Sequence, residues 1–401
     1  MYTNELKKSF LVSLWFMFLT FPIMVIRVNT VENIIEWRWT NLLLVGIGSF
    51  VLSAIWRYLI RRKEQGMQKA GSGIDQAPLS QQLLSDRRFT LPALITVCIV
   101  AVAFPFVFSV YQTNIMITAM IYVLLGLGLN IVVGLAGLLD LGYAAFYAVG
   151  AYSYALLNYH FGFGFWTVLA IGAGLAALFG IILGFPVLRL RGDYLAIVTL
   201  GFGEIIRLIM ENWNEFSFGP SGIANIPRPG FFGVDMNIEQ ATIYIYFLMI
   251  ALSLFTIFVV NRLQNSRIGR AWIALREDEI ACQAMGIDKR KTKLMAFALG
   301  ATWAGFAGVV FAAKTTFINP ASFTLWESIN ILCVVVLGGM GSIMGVIVGA
   351  FILILLPEYL RFLSEYRILA FGAILVVMMV FRPGGIVETV RRTYQYKEIE
   401  H

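Results

Sequence analysis

Three carboxylates, Asp140, Glu204 and Glu327, lie inside or at the edge of long apolar runs. An ionised side chain in hydrocarbon is costly, so it faces either a partner charge or a water-filled path, and all three are candidates for lining a path. Arg207 follows Glu204 by three residues, on the same face of a helix, so a structural pair is the plain alternative there. Asp140 and Glu327 lie near predicted helix ends, where reaching water is the alternative. The chain is not expected to be an enzyme. Cys98, Cys282 and Cys333 are far apart with no CxxC spacing, and His160 and His401 cannot build a metal centre between them, so no metal is expected. No Gly-Lys dipeptide occurs, which excludes a phosphate-cradling P-loop.

The densest polar chemistry lies elsewhere. From Ser266 to Lys293 there are 11 charged side chains in 28 residues, in a sequence that is 13% charged. Helical spacing puts Ile268, Trp272 and Leu275 on one face, with Arg267, Arg270 and Arg276 off it, which predicts a short amphipathic helix. Glu277, Asp278 and Glu279 then suit the first turn of a second short helix, Ala281 and Ala284 continue it, and Gly286 suits a left-handed stop. The small residues let a partner groove come close, so protein docking fits this loop best. A solvated loop and a membrane-surface helix are the alternatives.

These residues must be positioned by membrane helices. With 59% hydrophobic residues and a mean hydropathy of +0.80, the chain has a membrane protein's composition. Apolar segments near 9–26, 41–60, 91–110, 114–133, 142–160, 165–188, 194–210, 241–260, 294–313, 326–356 and 366–382 approach or exceed the roughly 20 residues a crossing helix needs. The first follows Lys7 and Lys8, but no small-x-small cleavage site follows it, and it is expected to be retained. Cations at Arg57, Arg61, Arg62, Lys63, Arg87 and Arg88, at Arg189 and Arg191, and across 262–293 place those loops in the cytoplasm, with both termini.

Crossing parity then requires the 326–356 run to enter and leave on one side. Leu337-Gly-Gly-Met-Gly-Ser342 interrupts it, which predicts a broken or re-entrant hairpin; a kink between packed helices is the alternative. A similar break, Gly134-Leu-Ala-Gly137-Leu-Leu-Asp140-Leu-Gly142, precedes the 142–160 segment. Gly142, Gly150, Ala151 and Tyr152 recur in spacing as Gly341, Gly349, Ala350 and Phe351, as an internal repeat or as a coincidence among 37 glycines. Small residues at Gly172, Ala173, Gly174, Ala176, Ala177 and Gly180, and at Ala301, Ala304, Gly305, Ala307 and Gly308, are helix-packing faces.

Four ordered motifs carry a family resemblance: Gly137-Leu-Leu-Asp-Leu-Gly-Tyr-Ala-Ala-Phe-Tyr-Ala-Val-Gly-Ala-Tyr152, Gly192-Asp-Tyr-Leu-Ala-Ile-Val-Thr-Leu-Gly201, Arg276-Glu-Asp-Glu-Ile-Ala-Cys-Gln-Ala-Met-Gly-Ile287 and Leu337-Gly-Gly-Met-Gly-Ser342. From about 114 to 387 the sequence resembles the LivM-type permeases of branched-chain amino-acid ABC importers. The resemblance implies an all-α polytopic fold of about 10 transmembrane helices plus the broken hairpin. It divides the chain into a two-helix extension (1–60), a polar cytoplasmic linker (61–90), a permease core (91–387) with its coupling loop at 262–293, and a cytoplasmic tail (388–401).

The implied partners are a LivH-type second permease, two cytosolic ATPases and a periplasmic or extracellular substrate-binding protein, in a bacterial inner membrane. The implied cargo is leucine, isoleucine and valine, and no cofactor is expected on this chain because ATP belongs to the partners. A urea or short-amide permease is the runner-up and a secondary transporter the more distant rival. Arg276, Glu277, Asp278, Glu279, Ala281, Ala284 and Gly286 become the expected ATPase-coupling positions. Asp140, Thr199, Glu204, Glu327, Gly338, Gly339 and Gly341 become the expected pathway positions. Two departures stand out: Cys282 where alanine is common, and Ser217-Phe-Gly-Pro-Ser-Gly222 where Thr-Gly-Gly-x-x-Gly is usual.

Overall fold

A computed structural model describes residues 100–188, 190, 192–230, 237–361, 366–382 and 384–387, together with parts of 10–53. The linker 61–90, the cations Arg57, Arg189 and Arg191 and the tail 388–401 lie outside the described residues. Two compact units are present, Met1–Val97 and Cys98–His401. In the first, β1 (Ile26–Asn29) pairs antiparallel with β2 (Ile34–Trp37). Helical residues from the two expected segments touch, Ser13 Oγ donating to Gly46 O at 2.7 Å. The hairpin between them has no counterpart in the sequence analysis, because the length of an apolar run does not register four-residue strands.

The second unit is a bundle: α1 (Val110–Leu129), α2 (Tyr143–Phe161), α3 (Phe165–Val187), α4 (Asp193–Asn212), α5 (Ile238–Gln264), the loop helices α6 (Arg267–Glu277) and α7 (Glu279–Ala284), α8 (Lys289–Thr315), α9 (Leu325–Gly338), α10 (Ile343–Tyr359) and α11 (Arg367–Phe381). Each long helix fills an expected apolar segment. Local signals set the ends: Ser109 with Gln112 and Asn237 with Gln240 form capping boxes on α1 and α5, and Asp288 caps α8. At the far end from the loop helices, β3 (Ile223–Ala224) pairs with β4 (Phe317–Ile318).

Among the described residues, five segments are long and apolar enough to cross a membrane: Val110–Leu135, Phe165–Val187, Ile238–Gln264, Lys289–Thr315 and Pro320–Gly338. The expected count is higher. Part of the difference is that the expected segments 9–26, 41–60 and 91–110 lie partly or largely outside the described residues; the rest is chemical, since α2 is diluted by Tyr, Ser and Asn, α4 carries Asp193, Glu204, Arg207 and Glu211, and the apolar helices α10 and α11 are shorter.

Close backbone approach holds the centre. A methyl added at Gly308 would lie 2.2 Å from Tyr147 O, one at Gly150 2.3 Å from Gly305 O, and one at Gly180 2.7 Å from Phe297 O. Small faces of α2, α3 and α8 thus meet without room for a side chain, as helices do in lipid where packing replaces hydrophobic drive. Gly308→Leu is expected to destabilise the bundle by about 1–3 kcal/mol or more through overpacking. A lower yield of monodisperse protein after detergent extraction, at unchanged expression, checks it.

The 326–356 run divides into α9 and α10, joined by a turn in which Gly339 and Gly341 take φ of +117° and +86°. Glu358 near the end of α10 accepts from Tyr111 in the first turn of α1 at 2.5 Å. Lys314 at the end of α8 donates to Thr118, two turns into α1. The outer end of the hairpin on α10 therefore lies at the end of the bundle where α1 starts, and Glu327 in the first turn of α9 meets Tyr122, about three turns into α1. The hairpin's glycine turn lies at the other end, beside Gln264, whose Nε2 donates to Gly341 O at 3.3 Å.

Candidate functional site

The loop between α5 and α8 is built to hold its shape. Gly269 lets α6 turn sharply off α5, because a methyl there would lie 2.3 Å from Leu263 O. Ser266 caps α6, its Oγ accepting from Gly269 N at 3.2 Å. Trp272 is fully buried and donates from Nε1 to Thr292 O at 2.9 Å, and Leu275 is buried beside it, so the expected apolar face clamps α6 onto the foot of α8. Lys293, 1% exposed, pairs with Glu279 at 2.6 Å. That ion pair joins the first residue of α7 to the same foot.

The acidic run straddles a break instead of filling one first turn. Glu277 ends α6; Asp278, with φ −156° and ψ 115°, caps α7; Glu279 is the first residue of α7. Asp278 Oδ1 accepts from Ile280 N and Ala281 N at 2.6 and 2.9 Å. Asp278→Ala is expected to cost α7 about 0.5–2 kcal/mol, visible as faster proteolysis within 279–287. At the other end Gly286 has φ +83°, Ile287 N donates to Cys282 O at 3.0 Å and Gly286 N to Gln283 O at 3.1 Å. That pair of bonds is the glycine-ended Schellman stop that the sequence predicts.

With Cys282 turned inward, α7 presents Ile280, Ala281, Ala284, Met285 and Gly286 outward; Ile280 is 69% and Met285 82% exposed. Large apolar side chains thus stand exposed on a charged loop, a composition that protein interfaces share. Sequence spacing alone did not single out Ile280 and Met285, because a six-residue helix is too short to show an amphipathic period. Arg276, also exposed, reaches the bundle: its Nη1 donates to Gly134 O at 2.5 Å, and its stem lies over Gly137, where a methyl would be 2.7 Å from Arg276 Cγ.

The two interruptions meet beneath that loop. After α1 the chain takes one wide π-helical turn, Asn130–Leu135, then leaves helical geometry until Gly142, with Gly137 at φ +71°. Buried Asn130 accepts at Oδ1 from Gly341 N at 2.8 Å. The carbonyls of Leu337 and Gly338 are also satisfied, since Ile386 N donates to Leu337 O and Val387 N to Gly338 O at 3.0 and 3.1 Å. Non-helical backbone at these breaks is thereby satisfied by protein.

The expected pathway residues divide into separate places. Asp140 is fully buried and accepts at Oδ1 from Gly142 N at 2.9 Å; it does not reach water. Thr199, also buried, accepts from Leu141 N at 3.0 Å and so ties α4 to the same break. Glu327 accepts from Tyr122 OH at 2.5 Å between α9 and α1. The hydroxyl of its neighbour Ser328 accepts from Ala144 N at 2.9 Å, supplying a partner at the start of α2. Glu204 pairs with Arg207 at 2.8 Å, and Arg207 also binds Glu211 at 2.6 Å. This triad stays a quarter to a third or more exposed on α4, beside the exposed Ile205, Leu208 and Ile209.

In the departing segment, Ser217 is buried and donates to Met210 O at 2.6 Å, and Phe218 takes φ +61°. A bulky residue stands there in left-handed backbone where the motif usually has glycine, offset by its edge-on contact with Tyr159 at 5.1 Å.

A bundle of apolar helices with glycine-broken segments and a rigid polar loop at one end defines a multi-pass membrane permease. The chain belongs to the family described as the branched-chain amino acid transport system permease component, whose model matches residues 111–382. It is 43% identical over 397 residues to the high-affinity branched-chain amino acid transport system permease protein LivM of Escherichia coli K12, covering 92% of this chain and 89% of that protein. A probable branched-chain amino acid transport permease LivM of Methanocaldococcus jannaschii is 25% identical over 316 residues, 67% of this chain and 90% of the relative. The E. coli permease protein LivH is 25% identical over 286 residues, 66% of this chain and 90% of the relative. No solved structure matches the chain.

Proposed function

We propose that this chain is one of two permease subunits of an ATP-driven importer of leucine, isoleucine and valine in a bacterial inner membrane, with ATP bound only by its partners. The outward face of α7 carries the proposal: Ile280, Ala281, Ala284, Met285 and Gly286 form an apolar knob held rigid from behind by Trp272 and by the Glu279–Lys293 pair. That knob seats in a groove of a cytosolic ATPase. The loop end of the bundle is then cytoplasmic, together with the end of α11 and the termini. Residues 1–60 and 61–90 serve as extension and linker to a core spanning 91–387.

A LivH-type subunit covers α4. Its Glu204–Arg207–Glu211 triad is too polar for lipid and borders a path between the two permeases. Thr199, Asp140 and Glu327 support that path from behind. At 1.5 Å per residue α9 spans about 21 Å, less than the roughly 30 Å of hydrocarbon, so the Gly338–Gly341 turn lies at membrane depth as a re-entrant feature. A substrate-binding protein delivers cargo at the opposite end, where β3 and β4 lie. Dimerisation of the ATPases on ATP moves the loop and shifts the bundle between outward- and inward-facing states, to the extent that their contacts with the two states differ.

Competition for uptake in cells carrying the complete system tests the cargo. Excess unlabelled valine should suppress labelled leucine uptake and urea should not. Suppression by urea and not by valine would move the chain to the amide class.

A further inference from the structure

We infer that Arg276 and Asn130 are positioning residues that join the loop to both glycine breaks, so that movement of α6 and α7 reaches the path through two hydrogen bonds. The inference rests on the ATPase-docking proposal for 266–287 and adds the route inward from it. Arg276, in the last turn of α6, lines one cleft with Ile280 of the knob and with Gly137, and its guanidinium donates to Gly134 O at 2.5 Å. Gly134 lies within the π-helical turn that Asn130 begins. The same turn holds the Asn130 amide: a methyl at Gly134 would fall 1.9 Å from Asn130 Oδ1 and 2.5 Å from Gly341 N. Asn130 Oδ1 in turn takes the Gly341 N–H at 2.8 Å. One chain of contacts thus runs from the loop through the first break to the second.

Three features make this junction a place that moves rather than filler. A π-helical turn is rare and, where it occurs, frequently marks a functional site. Gly341 carries positive φ, so its backbone has no side chain to hold it and the Asn130 amide is what fixes its N–H. Asn130 is 1% exposed, yet its Nδ2 has no acceptor among the described residues. A buried amide donor left unpaired disfavours the arrangement that buries it, which suits one side of a two-state equilibrium. Gln264, at the end of α5 where the loop begins, holds Gly341 O at 3.3 Å, so the second break is gripped from the loop side as well.

The test uses the assembled complex in proteoliposomes, with substrate-loaded binding protein outside and ATP supplied to the ATPases. Arg276→Met and Asn130→Ala are compared with the parent for co-purifying ATPase and for the number of leucine molecules moved per ATP hydrolysed. The expected result is normal co-purification with a transport-to-hydrolysis ratio lowered about tenfold in each variant. The double variant should be no worse than the poorer single, because both cut one path. Arg276→Lys should recover only part of the ratio, since a lysine lacks the planar fork. An unchanged ratio in Arg276→Met would overturn the inference, as would effects that multiply in the double variant. Loss of ATPase from Arg276→Met alone would also overturn it, by making Arg276 part of the docking surface. If ATPase fails to co-purify with the parent chain, it is the docking proposal that falls. If Asn130→Ala does not fold, the Arg276 ratio decides alone.

Discussion

Gly286→Val is expected to remove most uptake while leaving the chain inserted in the membrane. Gly286 holds φ +83° at the stop of α7, and among the described residues no atom beyond its two chain neighbours lies within 4 Å of where its Cβ would be. The internal cost is therefore conformational, roughly 1–2 kcal/mol for a β-branched residue forced into left-handed backbone, which converts to about 5- to 30-fold in the population of the formed loop. The added bulk projects outward into whatever α7 meets. Two companion changes separate the causes: Gly286→Asn tolerates the backbone but adds volume, whereas Gly286→Ala adds little volume but resists the backbone. Uptake, membrane abundance and ATPase co-purification for the three variants form the measurement. Glu277→Lys should leave the loop formed, because Glu277 ends α6, where the helix dipole favours a cation by about 0.3–1 kcal/mol. Retained uptake in Gly286→Val with a fully assembled complex would make the loop a solvated turn.

A larger local effect is expected from Glu279→Gln. Lys293 is 1% exposed and pairs with Glu279 at 2.6 Å. Removing the carboxylate leaves a buried ammonium without its counter-charge, a loss of about 3–5 kcal/mol. The first turn of α7 should detach from the foot of α8, exposing 277–287 to protease and weakening ATPase binding. Replacing both partners, Glu279→Gln with Lys293→Met, should recover much of the loss, because the stranded charge is gone and an apolar chain of similar length fills the site. Protease protection equal to the parent in Glu279→Gln would show that Trp272 and the Asp278 cap hold the loop without the pair.

The long helices were legible because each apolar run is bounded by polar or glycine residues, and the Gly286 stop was legible because a left-handed position selects glycine. Both glycine breaks could be read too, since Gly137, Gly339 and Gly341 take positive φ where the sequence clusters them. Three features were not legible for physical reasons. The π-helical turn at Asn130–Leu135 depends on a contact with Gly341, 211 positions away, and only a lone Asn in an apolar run hinted at it. The bond from Arg276 to Gly134 is made by tertiary packing, which spacing does not register. The β1–β2 hairpin is too short for any periodic signal. The split of the carboxylates also needed coordinates: Asp140 and Glu327 face into the bundle while Glu204 joins a half-exposed triad, although all three look alike within an apolar sequence.

The central claim is that α7 is the surface on which an ATPase sits, and a single-cysteine cross-link at Ala281 tests it most directly. Ala281 is exposed, whereas the neighbouring Cys282 is buried, and burial together with the charge of Asp278 pushes its thiol above the ordinary value. With Cys98, Cys282 and Cys333 replaced, Ala281→Cys carrying a short bifunctional reagent is predicted to form an adduct of this chain with an ATPase subunit in membranes, in a yield that changes when ATP is added. An intact, transport-competent complex that gives no such adduct, with or without ATP, would contradict the account.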